Sequence, residues 1–136
     1  MLTTGVNVID RCERLSPVLL VVDLDGNTKC TEELAGEGFI VETMDLDGLY
    51  NTMYCPHDVV IVCSDYSKCP KSEMFGVIRQ ALSIMCYDRK LLLFGEWGVF
   101  RDDMLCGIPK IHKMTNCYSV GDDYGWYVWH CGRDVK

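Results

Sequence analysis

Carboxylates, small polar residues and glycines gather where the apolar runs of this chain end. Pro17–Asp23 reads PVLLVVD and is followed by Leu24 and Asp25. Asp58–Cys63 reads DVVIVC and leads into Ser64 and Asp65. Lys90–Phe94 gives way to Gly95 and Glu96, and Tyr118–Val120 to Gly121, Asp122 and Asp123. If the runs are parallel strands, their carboxyl ends share one sheet edge, the place where open α/β sheets take ligands. Carboxylates converging there are hard oxygen donors suited to Mg²⁺. Asp23, Asp25 and Asp122 are therefore the candidate magnesium ligands. Acids and glycines also gather in turns for conformational reasons alone.

Thiols are the other reactive groups. The nine cysteines are Cys12, Cys30, Cys55, Cys63, Cys69, Cys86, Cys106, Cys117 and Cys131. Their number is odd, their spacing irregular, no CxxC occurs, and no signal peptide is evident at the start. This favours reduced thiols in a reducing, cytoplasmic compartment. The nearest metal-like groupings are Cys55-Pro-His57 and His130-Cys131, without the paired, regular spacing of zinc sites. Cys63 would need a base or a positive field to act as a nucleophile. His57 and His112 read as ordinary polar residues. No P-loop and no GxGxxG turn occurs.

Composition sets the frame for these residues. The chain has 136 residues, 49% hydrophobic and 24% charged, which suits one soluble domain and excludes disorder as the main state. No apolar run approaches the roughly 20 residues needed to span a bilayer. The net charge of −7 opposes phosphate backbones and anionic lipid, so neither nucleic acid nor membrane is an expected partner.

The elements that must position the edge follow from patterning. Residues 17–23, 39–44, 58–63 and 90–94 read as strands, the first and third apolar throughout and so covered on both faces. Thr31–Ala35 reads as a short helix stopped by Gly36-Glu-Gly38, and 45–54 as a second. Met74, Ile78, Ala81, Leu82 and Met85 recur at helical spacing after Pro70, so 70–86 is the longest helix. A short helix over 98–106 and a weak strand over 108–114 follow. Strands alternating with helices predict a three-layer α/β sandwich with a mostly parallel sheet of roughly five strands. Residues 1–16 form a leading segment, 17–121 the core, and 122–136 an aromatic C-terminal element. Tyr124, Trp126, Tyr127 and Trp129 in that element either cap the sheet, as an edge strand or a closing helix, or form an interface.

Residues 17–121 resemble the response-regulator receiver domain, which has flavodoxin-like topology. Val18-Leu-Leu-Val-Val-Asp-Leu-Asp25 is similar to its first strand and acidic pair. Gly38–Asp45 and Pro56–Cys63 are similar to its second and third strands, and Tyr118–Gly121 to its last. Cys63 stands at the position matching the phosphoacceptor, with Asp65 two residues further on. Gly95 and Gly121 stand near the positions matching the switch hydroxyl and the lysine. The resemblance implies a pseudo-receiver that has lost phosphotransfer and acts, without a cofactor, by docking to a protein partner in signalling or regulation.

Val21-Val-Asp-Leu-Asp-Gly-Asn-Thr28 also resembles the first motif of haloacid dehalogenase-like phosphatases, and Val60–Ser64 the second. That resemblance implies a Mg²⁺-dependent phosphatase, with Asp23 as nucleophile, Asp25 as acid/base, Ser64 in support and Lys110 or Lys113 as the cation. A looser resemblance of 58–67 to nucleotide-binding or NAD-processing domains is a third alternative.

The thiol count yields a direct test. Denatured under non-reducing conditions, the protein should titrate with close to nine free thiols and carry no stoichiometric zinc. Four or more bridged cysteines, or one zinc per chain, would contradict the assignment.

Overall fold

In the computed structural model, the described residues are Val6, Ile9, 14–24, 29–63, 71–86, 88–96, 113–120 and 124–131. Strand β1 is Val18–Asp23, β2 Ile40–Met44, β3 Asp58–Cys63, β4 Arg89–Glu96, β5 Lys113–Val120 and β6 Tyr124–Cys131. The helices are α1, Lys29–Gly36, α2, Leu46–Asn51, and α3, Lys71–Ile84. The six strands form one sheet in the order β2-β1-β3-β4-β6-β5. The first four are mutually parallel, and β6 runs antiparallel to both of its neighbours.

Uninterrupted apolar sequence gives β1, β3 and β4 their central places. Alternate side chains leave a strand on opposite faces. Leu19, Val21, Val60, Val62, Leu92 and Phe94 therefore pack on one face with Val6, Ile9, Cys30 and Leu34. Leu20, Val22, Val59, Ile61, Leu91 and Leu93 pack on the other with Leu49, Met74, Val77, Ile78 and Ala81. Helix α1 thus lies on one side of the sheet and α2 and α3 on the other, giving three layers.

The helix ends follow from local chemistry. Gly38 adopts φ +102° after α1. There it lets Phe39 N–H reach Leu34 O at 3.2 Å and Gly38 N–H reach Ala35 O at 3.1 Å, closing the helix and turning the chain into β2. Asp45 caps α2, its Oδ1 accepting from Gly48 N–H at 2.8 Å.

At the amino edge a single buried carboxylate ties three strands. Asp58 is 2% exposed. Its Oδ2 accepts from Ser16 N–H at 2.6 Å, and its Oδ1 from Lys90 N–H at 2.7 Å. Ser16 Oγ accepts from Asp58 N–H at 3.1 Å and donates to Val18 O at 2.8 Å. The lead-in to β1 and the first turns of β3 and β4 are thereby locked in one register.

The α/β class and the mostly parallel sheet agree with the sequence, but the receiver topology does not. The order 2-1-3-4 is shared with flavodoxin-like sheets, whose fifth strand then adds in parallel. Here β6 inserts antiparallel between β4 and β5, and the sheet has six strands. The aromatic element is neither an edge strand nor a helix. Trp126 and Val128 are buried on the α1 face and Tyr127 on the α3 face, so β6 needs cover on both sides and pairing on both edges. The expected helix over 98–106 and the stretch 108–112 lie outside the described residues. Among the described residues, no helix is long and apolar enough to cross a membrane.

Replacing Asp58 by Ala orphans one buried main-chain donor, Ser16 N–H, and one part-buried donor, Lys90 N–H. It should cost about 3 kcal/mol or more in urea unfolding, while Asp58→Asn, which keeps one acceptor, should cost less. A loss below about 0.5 kcal/mol, typical of exposed sites, would refute the clamp.

Candidate functional site

The carboxyl edge is built by strand register. Asp23 pairs with Val62, Val62 with Phe94, and Phe94 with Trp126. One residue further along, Cys63 pairs with Gly95, Gly95 with Gly125, and Gly125 with Ser119. Leu24 N–H donates to Val62 O at 2.9 Å, so β1 keeps its pairing with β3 one residue past Asp23. Asp23 is half-buried, Cys63 and Gly95 are buried, and Asp45 is exposed at the end of β2.

Topology makes one point on this edge special. From β1 the chain crosses to β2 on one side, then returns past β1 to β3 on the other. The gap between the ends of β1 and β3 is thus a topological switch point, the place where doubly wound sheets bind ligands. Asp23 and Cys63 end the two strands that flank it. Asp45, missed by sequence reasoning as a site residue, ends the strand beside it. Its signal was present as the acid that closes the second apolar run, about twenty residues beyond Gly26, where doubly wound domains carry the carboxylate that holds a ribose.

The other sequence candidates separate. Asp25, Ser64, Asp65, Lys110, His112, Gly121, Asp122 and Asp123 lie outside the described residues. Lys113 opens β5 opposite His130, and Glu96 pairs with Tyr124. Trp126 and Tyr127, offered as interface residues, are 1% and 0% exposed and belong to the core. Tyr124 is half-buried and stacks on Phe94, with ring centroids 5.7 Å apart. Trp129 lies within β6. The Cys55 thiol points to the main chain, its Sγ 3.6 Å from His57 O, rather than forming a ligand pair with the imidazole. Cys30, Cys55, Cys63 and Cys86 are not in disulfides.

No family model matches the chain, and no curated protein matches it. Solved structures do. TrmN from Thermus thermophilus superposes with a TM-score of 0.63 at 9% identity, over 93% of this chain and 48% of its own. The T. thermophilus 16S rRNA methyltransferase RsmC, solved with AdoMet and guanosine, gives 0.60 at 11% identity, over 86% and 36%. Haemonchus contortus phosphoethanolamine N-methyltransferase 2, solved with S-adenosylhomocysteine, gives 0.63 at 13% identity, over 100% and 40%. The chain thus spans less than half of each of these proteins. The match over all of this chain takes in the antiparallel β5–β6 pair.

The fold is therefore the one these methyltransferases share. That finding overturns the receiver, dehalogenase-like phosphatase and NAD-processing resemblances. The non-catalytic pseudo-receiver falls with them, as does the expected absence of a cofactor, because RsmC and the Haemonchus contortus enzyme are methyltransferases solved with AdoMet or S-adenosylhomocysteine. The resemblances failed because they rested on short strands ending in acid, which many doubly wound sheets share. Magnesium is unsupported as well: among the described residues no three His, Cys, Asp or Glu side chains come together as a metal site.

One titration follows from the geometry near the amino edge. Burial pushes the Cys55 thiol above its ordinary value of 9.0, and the charges of Glu42 and Asp58 add to this. The hydrogen bond to Cys86 raises Tyr54 above 10.0. Both groups hold their protons longer folded than unfolded. Stability should thus be insensitive to them at neutral pH and fall as pH rises past about 9, where the unfolded chain ionises first. Urea midpoints should show that decline, and Cys55→Ala should reduce it. An identical decline in the variant would contradict the assignment.

Proposed function

We propose that this chain binds S-adenosylmethionine at the crevice between the ends of β1 and β3 and transfers its methyl group to an acceptor. The observation that carries the proposal is the sheet order with its inserted antiparallel strand, shared with methyltransferases, together with carboxylates at the edge where such sheets bind ligands. The residues fit the group chemically. S-adenosylmethionine carries a sulfonium and an ammonium cation, which Asp23 and Asp25 attract. A dinucleotide would bring an anionic pyrophosphate, which the same acids repel, and the β1–α1 turn offers Gly26 alone in place of a glycine-rich cradle.

Bound there, S-adenosylmethionine supplies an electrophilic methyl that an acceptor lone pair displaces from sulfur. The chain's own residues bind and orient. Asp45 holds Gly48 N–H with Oδ1, which fixes the carboxylate and leaves Oδ2 to accept from a ribose hydroxyl. Cys63 ends β3 and pairs with Gly95 near the end of β4, and both are small, so an acceptor can approach the sheet edge closely. The carboxyl ends of β3 and β4 would be the acceptor side.

Calorimetry with S-adenosylhomocysteine tests the proposal. Binding should be saturable and weaken on the order of tenfold in Asp45→Asn, which keeps the helix cap but loses the charge. Asp23→Asn should weaken S-adenosylmethionine, which is cationic at sulfur, more than S-adenosylhomocysteine, which is not. Absence of binding of either compound at millimolar concentration would overturn the proposal.

A further inference from the structure

Charge and exposed apolar surface are unevenly distributed. Residues 30–57 hold six of the chain's 20 acids, Glu32, Glu33, Glu37, Glu42, Asp45 and Asp47, and none of its 13 lysines and arginines. With Lys29, which opens α1, the stretch of α1, β2, α2 and the segment after them carries a net −5 of the chain's −7. The strongly exposed large hydrophobic residues among those described fall in the same stretch: Ile40 at 63%, Tyr50 at 50%, Met53 at 91% and Tyr54 at 61%.

Strand β2 lies between these features at the end of the sheet. Ile40 N–H donates to Pro17 O at 2.9 Å. In a parallel pair the residues that bond inward alternate with residues whose peptide groups face away. Ile40, Glu42 and Met44 bond toward β1, so Val41 and Thr43 turn N–H and C=O outward, toward an edge that no strand among the described residues pairs with. Edge strands are usually protected by lysine, proline or a bulge. β2 has none of these, and its register with β1 is unbroken. The segment after α2 lies against the same strand, with Thr52 Oγ1 3.8 Å from Met44 Sδ.

We propose that the free edge of β2 is the docking site for an extended segment of a partner protein in which lysine or arginine alternates with aliphatic residues. Main-chain bonds to Val41 and Thr43 would add the segment as a strand. Its basic side chains would lie on the Val41 face, toward the acids of α1, and its aliphatic ones on the opposite face, against Ile40. A second copy of this chain does not fit, because its own β2 would bring acid against acid. The surface lies on the flank of the sheet, and its test is independent of S-adenosylmethionine.

The probe is a fluorescent peptide of alternating lysine and valine, titrated into the full chain. Saturable binding is expected, with loss on the order of tenfold in affinity for Val41→Pro and for Thr43→Pro, which remove outward donors from an edge strand. A probe with proline at alternate positions should not bind, and 1 M salt, with a Debye length of about 3 Å, should weaken binding strongly. Hydrogen exchange of the unaltered protein should slow at the Val41 and Thr43 amides when the peptide is added, a readout independent of how the variants fold. No binding, equal binding of a glutamate–valine peptide, binding without protection of those amides, or self-association through β2 would each overturn the proposal.

Discussion

The Asp58 carboxylate sets the geometry on which the rest of the sheet depends. It is buried, and its two oxygens accept main-chain N–H groups from the lead-in to β1 and from β4. A buried acceptor of this kind is costly unless both oxygens are engaged, so only one alignment of the three strands satisfies it. A slip of one residue in any of them would also exchange the two faces of an element that packs helices on both sides. Fixing the amino ends fixes what arrives at the carboxyl ends: Asp23 opposite Val62, and Cys63 opposite Gly95. The chemistry of one edge is thereby set by a hydrogen-bonding requirement at the other.

Burial on both faces explains the division of labour along the chain. β1, β3, β4 and β6 carry apolar side chains to both faces and occupy the interior of the sheet. β2 has the exposure of an outer strand, with Ile40, Glu42 and Thr43 exposed. The hydrophobic effect thus places the ends of β1 and β3 in the middle of the sheet. The same effect leaves the acidic, partly apolar flank open.

The legible parts of the fold were those with a local cause. β1 and β3 could be read because six-residue apolar runs have few other uses, and α3 because Met74, Ile78 and Ala81 recur on one face. Gly38 announced the end of α1. The hairpin was not legible. Nothing local in Lys113–Val120 or Tyr124–Cys131 says that the later strand lies inside the earlier one; that order is settled by pairing with β4 and by Trp126 and Tyr127 facing opposite layers. The acidic edge was read as a phosphate or magnesium site, a chemistry that the methyltransferase-like fold does not support. Asp23 and Asp25 look alike to a metal, a phosphate-transfer site and a sulfonium ligand, and nothing local in the sequence separates the three. Asp45 went unread because the acidic edge was read at the ends of the first, third, fourth and last runs, and the end of the second was not included.

The central claim is that the crevice at the ends of β1 and β3, flanked by β2, holds the adenosyl ligand. Ultraviolet cross-linking of S-adenosylmethionine radiolabelled in its adenine ring, followed by peptide mapping, tests this most directly. The account requires label in peptides containing residues 23–30 or 44–48, competed away by S-adenosylhomocysteine. Competed label confined to the opposite edge, around Ser16, Asp58 and Lys90, would contradict it, as would label that S-adenosylhomocysteine does not displace.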